Sequence, residues 1–392
     1  MNRPLPLAHV RVVEMSHMVM GPTVGLVLGD LGADVVKIEP LGGDKTRRLR
    51  GSGAGYFVTY NRNKRSLCLD IGHAEARALL LDLLRRADVF VENFRRGAMD
   101  KVGLGWETLS QINERLVYCS TRGFLDGPYQ HRSALDEVAQ MMGGLAYMTG
   151  PPGRPLRAGA SVVDVVGGMF GAIGVMAALE QRHRTGRGAR VTSALFESTA
   201  FLVGQHMAQY AVTGTPAPPM PARISAWAVY DVFEAADGEQ VFIAVVSDTQ
   251  WRAFCTEFAL ADWMHDPELR ENGGRVARRE SILPRLRELF RTMSKADLMA
   301  RLERCSLPFA PIARPEDLFE DAHLAQSGAL LDTALPGGGS TRLPALPLTI
   351  DGARFGVHRQ VPEPGADTRE VLHELGCDDA RIDALLASGA VC

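Results

Sequence analysis

Five short apolar runs separated by helix-like stretches fill the first 120 residues, and this alternation constrains the fold more than any other feature. The runs are Val10–Met15, Asp34–Glu39, Ser66–Asp70, Asp88–Asn93 and Leu116–Ser120. Between them lie Pro22–Leu31, stopped by Gly32, and Ala74–Arg86 with its leucine stripe. Strands interleaved with helices specify βαβ units, an α/β fold and a mostly parallel sheet. Ligands of such sheets bind beyond the carboxyl ends of the strands. The first helix opens on Gly21-Pro22, which does not match the G-x-G-x-x-G dinucleotide pattern.

Composition narrows the function classes. The chain has 392 residues, 46% hydrophobic and 23% charged, with a net charge of -3. That length predicts two or three domains. The small net charge gives no field favouring nucleic acid or an anionic membrane. No apolar run reads as a bilayer span, and Met1–Leu7 lacks a signal-peptide apolar region. A cytoplasmic protein is expected. The six cysteines form no C-x-x-C pair and have no histidine cluster beside them. Reduced thiols are therefore expected, with no metal site and no disulfide framework.

The character of the chain changes after the Pro-rich stretch Thr213–Pro221. Beyond it, Ala228–Phe233 and Gln240–Val246 flank the turn Ala236-Asp237-Gly238 and predict a hairpin. Helical patterns follow from Gln250 to about Leu302. Pro336–Ser340 reads as a second flexible break. The tail closes with helices at Thr368–Leu375 and Asp378–Ala387. These breaks predict a large domain from 1–215, a small domain from 222–330, and a return to the large domain over 331–392.

Candidate site residues cluster in the first half. Asp164 stands where the short run Ser161–Val163 meets a Gly-rich helical pattern from Gly167. Two readings suit it: an N-cap held ionised by the helix dipole, or a carboxylate nucleophile. Lys37, Asn61, Asn63, Lys64, Arg65 and Arg95 sit near strand ends, where basic groups grip phosphates of a nucleotide-like ligand or else point into solvent. Asp136 and Glu137 favour a helix start, and Asp248 reads as the N-cap of the helix holding Trp251.

The chain resembles the family III CoA-transferases, a group that includes formyl-CoA and carnitine CoA-transferases and α-methylacyl-CoA racemases. The resemblance rests on an ordered series of short motifs. They are Gly21-Pro22, Leu31-Gly-Ala-Asp-Val-Val-Lys-Ile-Glu-Pro40 with Gly43-Asp44, Asn61-Arg-Asn-Lys-Arg-Ser66, Glu92-Asn-Phe-Arg95 with Gly97, Gly127-Pro128, Thr185-Gly-Arg-Gly188, Glu197, Ala236-Asp-Gly238, Gln250-Trp251 and the Gly365/Leu372/Leu375-Gly376 tail.

The resemblance implies a Rossmann-like large domain plus a smaller α+β domain, in an interlocked homodimer. It also implies Asp164 as the catalytic aspartate, with Lys37, Asn61, Asn63, Lys64, Arg65, Arg95 and Asp136 holding coenzyme A. Its substrates would be an acyl-CoA donor and a carboxylic acid acceptor, with no prosthetic group. Backbone N–H groups near Gly167-Gly168 are candidates to stabilise an oxyanion. Racemases of the group carry a histidine where this chain has Leu135, and a glutamate at Asp248. An apolar Leu135 cannot exchange a proton with an α-carbon. Formyl-CoA transferases carry a glutamine at Val19 and a Gly-rich loop near 246–249, both absent here. The segment Gly123–Asp136 with Met141–Gly150 is most similar to the dicarboxylate subgroup, which transfers CoA among succinate, mesaconate, itaconate and citramalate. Arg48, His131, Arg132 and Arg157 are candidates to hold a distal carboxylate. An acyl-CoA racemase and an inactive CoA-binding scaffold are the alternatives.

Overall fold

The structure is a computed structural model that describes residues 5–223 and 225–392. Met1–Pro4, the first part of the N-terminal segment read above, and Ile224 lie outside the described residues. Two compact units divide the chain: residues 1–222 with 322–392, and residues 223–321.

The larger unit is built on six parallel strands: β1 (Arg11–Met15), β2 (Asp34–Glu39), β3 (Lys64–Cys68), β4 (Val89–Glu92), β5 (Val117–Arg122) and β6 (Arg190–Ala194), in the order β3-β2-β1-β4-β5-β6. This is the doubly wound arrangement, which reverses direction between β1 and β4. The helices that matter below are α1 (Met20–Asp30), α2 (Tyr56–Tyr60), α3 (Ala74–Arg85), α4 (Ala98–Lys101), α5 (Trp106–Ile112), α6 (Asp136–Met142), α7 (Leu145–Thr149), α8 (Val162–Thr185) and α9 (Leu195–Thr213).

Alternate strand residues serve opposite faces, as a period of two requires. Val13, Val36 and Phe90 join Leu80, Leu83 and Leu84 of α3, together with Val371, Leu372 and Ile382 of the tail. Val12, Val35 and Val91 join Val24 and Leu28 of α1 and Val175 and Leu179 of α8. The tail helices, Thr368–Glu374 and Asp379–Ala387, therefore complete one face of the sheet.

Helix α8 is long and apolar enough to cross a membrane, contrary to the sequence expectation that no such run exists. Its buried residues, among them Val175, Ala178 and Leu179, nonetheless pack on the sheet as part of the core. Its glycines allow that approach. A Cβ on Gly168 would lie 2.6 Å from the Met20 carbonyl oxygen, and one on Gly167 2.5 Å from the Met20 Cε. These glycines are thus used to seat α8 on α1. Their amides belong to the helix interior, which corrects their reading as oxyanion donors. Two further expectations change. Strand β6 was not anticipated, and Pro336–Ser340 contains the turn of a hairpin, Leu330–Ala334 with Ser340–Pro344.

The smaller unit holds the expected hairpin, Tyr230–Glu234 with Gln240–Ala244, extended by Phe309–Pro311. Helices from Asp248–Glu257 to Lys295–Arg304 pack around Trp251, Phe254 and Phe290. Ser247 caps the first of them, its hydroxyl accepting from the Gln250 N–H at 3.2 Å. Asp248 is therefore the first helical residue, and it pairs with Arg275.

Candidate active site

A cleft of about 610 Å³ opens beyond the carboxyl ends of β1, β2, β3 and β4. Its walls include Ser16, His17 and Met18 after β1, Leu41 and Thr46 after β2, Leu69 after β3, and Phe94 after β4. It therefore lies at the point where the sheet reverses, where doubly wound folds bind their ligands. The floor is stitched across β1 and β4. Asn93 donates to the His17 carbonyl at 2.7 Å and accepts from the His17 N–H at 3.1 Å. The His17 ring lies 5.4 Å from that of Phe94, and burial holds its pKa below the usual histidine value. Met18 adopts a φ of 64°, a costly conformation for a residue with a side chain. Its N–H is held by the Thr46 hydroxyl at 3.0 Å. Val19 is fully buried.

The N-terminal ends of α1 and α8 lie side by side through the Met20–Gly167 contact, so the start of α8 adjoins the loop that lines the cleft. Asp164 is the third residue of that helix. Of the two readings of Asp164, the N-cap is corrected: the structure gives that position to Ser161 and the capping carboxylate to Asp136 of α6. Asp136 Oδ2 accepts from the N–H groups of Val163 at 2.9 Å and Asp164 at 3.1 Å. Its Oδ1 accepts from Gln140 at 2.6 Å and faces Arg157 at 3.3 Å. Gln140 in turn accepts from the Ala158 N–H at 2.8 Å. A carboxylate from a distant helix thus satisfies donors that a helix start leaves open. Asp136 is thereby moved from a CoA-contacting role to one that fixes the backbone of Asp164.

The consequence for Asp164 is electrostatic. Burial, and then the neighbouring Asp136 charge, push its pKa up to about 7, against a smaller opposing pull from Arg157. The dipole therefore does not hold it firmly ionised, as the sequence reading expected. A carboxylate that is desolvated and near neutrality is a common property of reacting groups. Two tyrosines of α2 that sequence reasoning missed belong to this site. The hydroxyls of Tyr56 and Ser161 are 3.4 Å apart. Tyr60, one helical turn further, has its phenol pushed up to about 12 by burial and by the Asp164 charge.

Most of the basic candidates are not where a ligand can touch them. Lys37, Asn61, Asn63, Lys64 and Arg65 are all buried. Lys37 Nζ donates to the Ser16 carbonyl at 2.7 Å and to Glu14 at 3.2 Å, and faces Asp44 at 3.3 Å. Lys64 reaches Glu14 at 2.6 Å, Asn61 Oδ1 at 3.1 Å and the Pro22 carbonyl at 3.0 Å. Asn61 Nδ2 donates to the Phe57 carbonyl. Asn63 donates to Asp30 and accepts from the N–H groups of His358 and Arg359. Arg65 is shared among Asp34, Glu374 and Glu370. Their donors go to protein partners, which corrects their assignment to phosphates: Lys37 ties the cleft residues Ser16 and Asp44 together, while Asn61, Asn63, Lys64 and Arg65 stand at the amino end of β3, away from the cleft. Arg95 differs: it is exposed after β4, next to the cleft residue Phe94. Of the four distal-carboxylate candidates, Arg157 alone is brought to Asp136 and Asp164. Arg48, which donates to the Gly42 carbonyl, and His131 and Arg132 are exposed. Among the described residues no group of His, Cys, Asp or Glu is arranged to hold a metal ion.

A Rossmann-like sheet with a cleft at its reversal point is the architecture of α/β proteins that bind a ligand beyond their strand ends. The family model for CoA-transferase family III matches residues 7–368. The chain is 35% identical over 373 residues to a succinyl-CoA:mesaconate CoA-transferase of Haloarcula hispanica, covering 92% of each protein. It is 33% identical to a succinate–glutarate CoA-transferase of Agrobacterium fabrum, covering 95% of this chain and 96% of the relative. A CAIB/BAIF family protein of Brucella suis superposes with a TM-score of 0.85 at 32% identity, over 95% of this chain and 100% of that one. The chain belongs to CoA-transferase family III, and its substrates are CoA thioesters.

The site makes a pH prediction. A nucleophilic role for Asp164 requires its ionised form, and then kcat/KM for the acyl-CoA donor is expected to rise with pH through a midpoint near 7, the raised Asp164 value. Asp136→Asn keeps an oxygen for the helix cap but removes the like charge, so the midpoint moves to lower pH. Burial, the larger cause, remains, so it does not return to the ordinary carboxylate value. A pH–rate profile identical to wild type in the variant removes Asp136 from this role.

Proposed function

We propose that this enzyme transfers CoA between C4–C5 dicarboxylic acids through a CoA thioester on Asp164, with succinyl-CoA as donor. The observation that carries the proposal is the Asp164 carboxylate, largely buried, with its pKa pushed up to about 7, at a helix start that Asp136 caps. The relatives named above act on succinate, mesaconate and glutarate, which supports the substrate class.

In the first step Asp164 attacks the donor thioester carbonyl, the C–S bond breaks, and CoA leaves as thiolate. The product is a mixed anhydride. The thiolate attacks the aspartyl carbonyl, expelling the donor acid as its carboxylate and leaving aspartyl-CoA. The acceptor carboxylate then displaces the thiolate. That thiolate takes the acceptor acyl group and regenerates Asp164. The thioester energy is conserved at each exchange. Arg157 is the basic group best placed to meet the second carboxylate of a diacid, and the exposed Arg95 best placed for a CoA phosphate.

Leu135, 68% exposed at the start of α6, supplies no base to an α-carbon, which disfavours racemisation. The test is to mix enzyme and succinyl-CoA without acceptor. A mass increase matching CoA on the peptide containing Asp164, discharged by hydroxylamine, is expected. Rapid solvent deuterium entry at the α-carbon with no trapped adduct replaces the transferase reading with racemisation, and neither signal leaves only CoA binding.

The same proposal includes a dimer. Helices α8 and α9 expose Ile173, Phe201, Met207 and Tyr210, at 53%, 72%, 62% and 55%. An apolar face of this kind is normally covered by a partner. If two copies interlock, dissociation requires unfolding. Light scattering on dilution then shows dimer until the circular dichroism signal is lost, and a folded monomer at nanomolar concentration rejects the interlocked arrangement.

A further inference from the structure

We propose that Cys68 and Cys392 are a modification site, a thiol pair that oxidises to a disulfide clamping segment 390–392 onto β3 at the wall of the cleft. The register places them together. Leu69 and Val391 form an isolated antiparallel bridge, so Cys68 lies directly opposite Cys392. The Cys392 N–H donates to the Cys68 carbonyl at 3.3 Å, and the Asp70 N–H to the Ala390 carbonyl at 3.0 Å. The Cys68 N–H donates to the Thr368 hydroxyl at 3.3 Å and not back to Cys392; opposed residues of antiparallel strands have Cα atoms about 4.5–5.5 Å apart and side chains on one face. That separation is inside the range of about 4.4–6.8 Å that a disulfide spans.

The surroundings hold the pair in place. Ala390 and Val391 are buried. Gly365, at a φ of 69°, lets the chain pass so closely that a Cβ there would lie 2.7 Å from the Cys392 carbonyl oxygen. The Cys392 thiol donates to the Leu41 carbonyl at 3.1 Å. Leu41 and Leu69 both line the cleft, so the crosslink would fix segment 390–392 beside Leu69 and, by consuming the Cys392 S–H, release the Leu41 carbonyl. The two thiols also differ in access: Cys392 is exposed and Cys68 is buried. Burial, and then the adjacent Cys392 side chain, push the Cys68 thiol up to about 12, so Cys392 is the group an oxidant meets first.

The chemistry takes a two-electron oxidant of the peroxide class. The Cys392 sulfur attacks the peroxide O–O bond, giving a sulfenic acid and one water. The Cys68 sulfur then attacks the Cys392 sulfur, the S–O bond breaks, and the hydroxide leaves with the Cys68 proton as a second water. Two thiols and one hydrogen peroxide become one disulfide and two waters. A dithiol reverses the step by exchange.

The experiment uses the full chain with stoichiometric hydrogen peroxide, then denaturation, thiol alkylation and digestion without reductant. The expected result is loss of two hydrogens per chain and a linked pair of peptides carrying Cys68 and Cys392, both reversed by dithiothreitol. Cys392→Ser, at an exposed position, abolishes the link and leaves Cys68 alkylated. Should Cys68→Ser fail to fold, the Cys392 variant suffices. Cys392 recovered as sulfinic or sulfonic acid with Cys68 alkylated overturns the proposal, and so does a link between Cys392 residues of two chains.

Discussion

Asp164→Asn is expected to lower CoA transfer by a factor on the order of 10⁴ or more, the scale of removing a nucleophile, while CoA binding and the fold survive. The structure gives a stronger reason for survival than helix capping does. The cap is Asp136, which bonds the backbone N–H of residue 164 whatever side chain stands there. The sign of the stability change is also fixed. Asp164 binds its proton more tightly when folded, because burial and Asp136 raise its pKa from 3.8 to about 7. Its ionisation therefore opposes folding as pH rises from near 4 to near 7, and the opposition is complete above that. A neutral amide lacks this term. The variant should thus unfold at an equal or higher temperature than wild type at pH 8, with the difference vanishing below pH 4. Turnover within tenfold of wild type removes Asp164 from the nucleophile role. Loss of activity together with a lower melting temperature at pH 8 points to damage to the site.

How much of this was legible in the sequence follows from which interactions are local. Strands β1 to β5 were legible because each is a short apolar run between helical patterns. Strand β6 was not, because Ala194 passes directly into α9 at Leu195 with no turn residue between them. Asp164 stands out as a candidate through the order of motifs along the chain. Its environment was not legible. The carboxylate that caps its helix comes from residue 136, through backbone N–H groups that carry no side-chain signature. Tyr56 and Tyr60 stayed hidden for the same reason: only the packing of α2 brings them to the start of α8. The basic cluster misled because sequence displays a charge but not its neighbours. Lysines and arginines near strand ends suggest a phosphate until Glu14, Asp30, Asp34 and Asp44 are seen to be their partners. One signal was present, since Glu14 and Lys37 occupy central strands where a charge must be paired.

That cluster yields the second large effect. Lys37→Met should destabilise the fold by about 3–5 kcal/mol, the usual consequence of removing one partner from a buried ion pair. Lys37 is fully buried among Glu14, Asp44 and the Ser16 carbonyl. Burial alone would discharge it, but Glu14, then Asp44 and Glu39, outweigh this and hold its pKa above the ordinary lysine value. Without it, Asp44 loses the cation it pairs with at 3.3 Å, and Glu14 is left with Lys64, whose own pKa burial has lowered to about 8. The 3₁₀ turn after Asp44 then loosens, and with it Thr46, which holds Met18 at the cleft. Arg95→Ala is the contrast. Arg95 is exposed, so its loss should leave the melting temperature within about a degree, since surface changes stay within roughly 0.5 kcal/mol. It should instead weaken CoA-ester binding by about 1–3 kcal/mol, more at low salt. Urea denaturation and calorimetry on the two variants separate the roles. A Lys37 variant of wild-type stability with selectively weakened CoA binding would return Lys37 to direct ligand contact, and unchanged binding by the Arg95 variant would leave that residue a solvated turn.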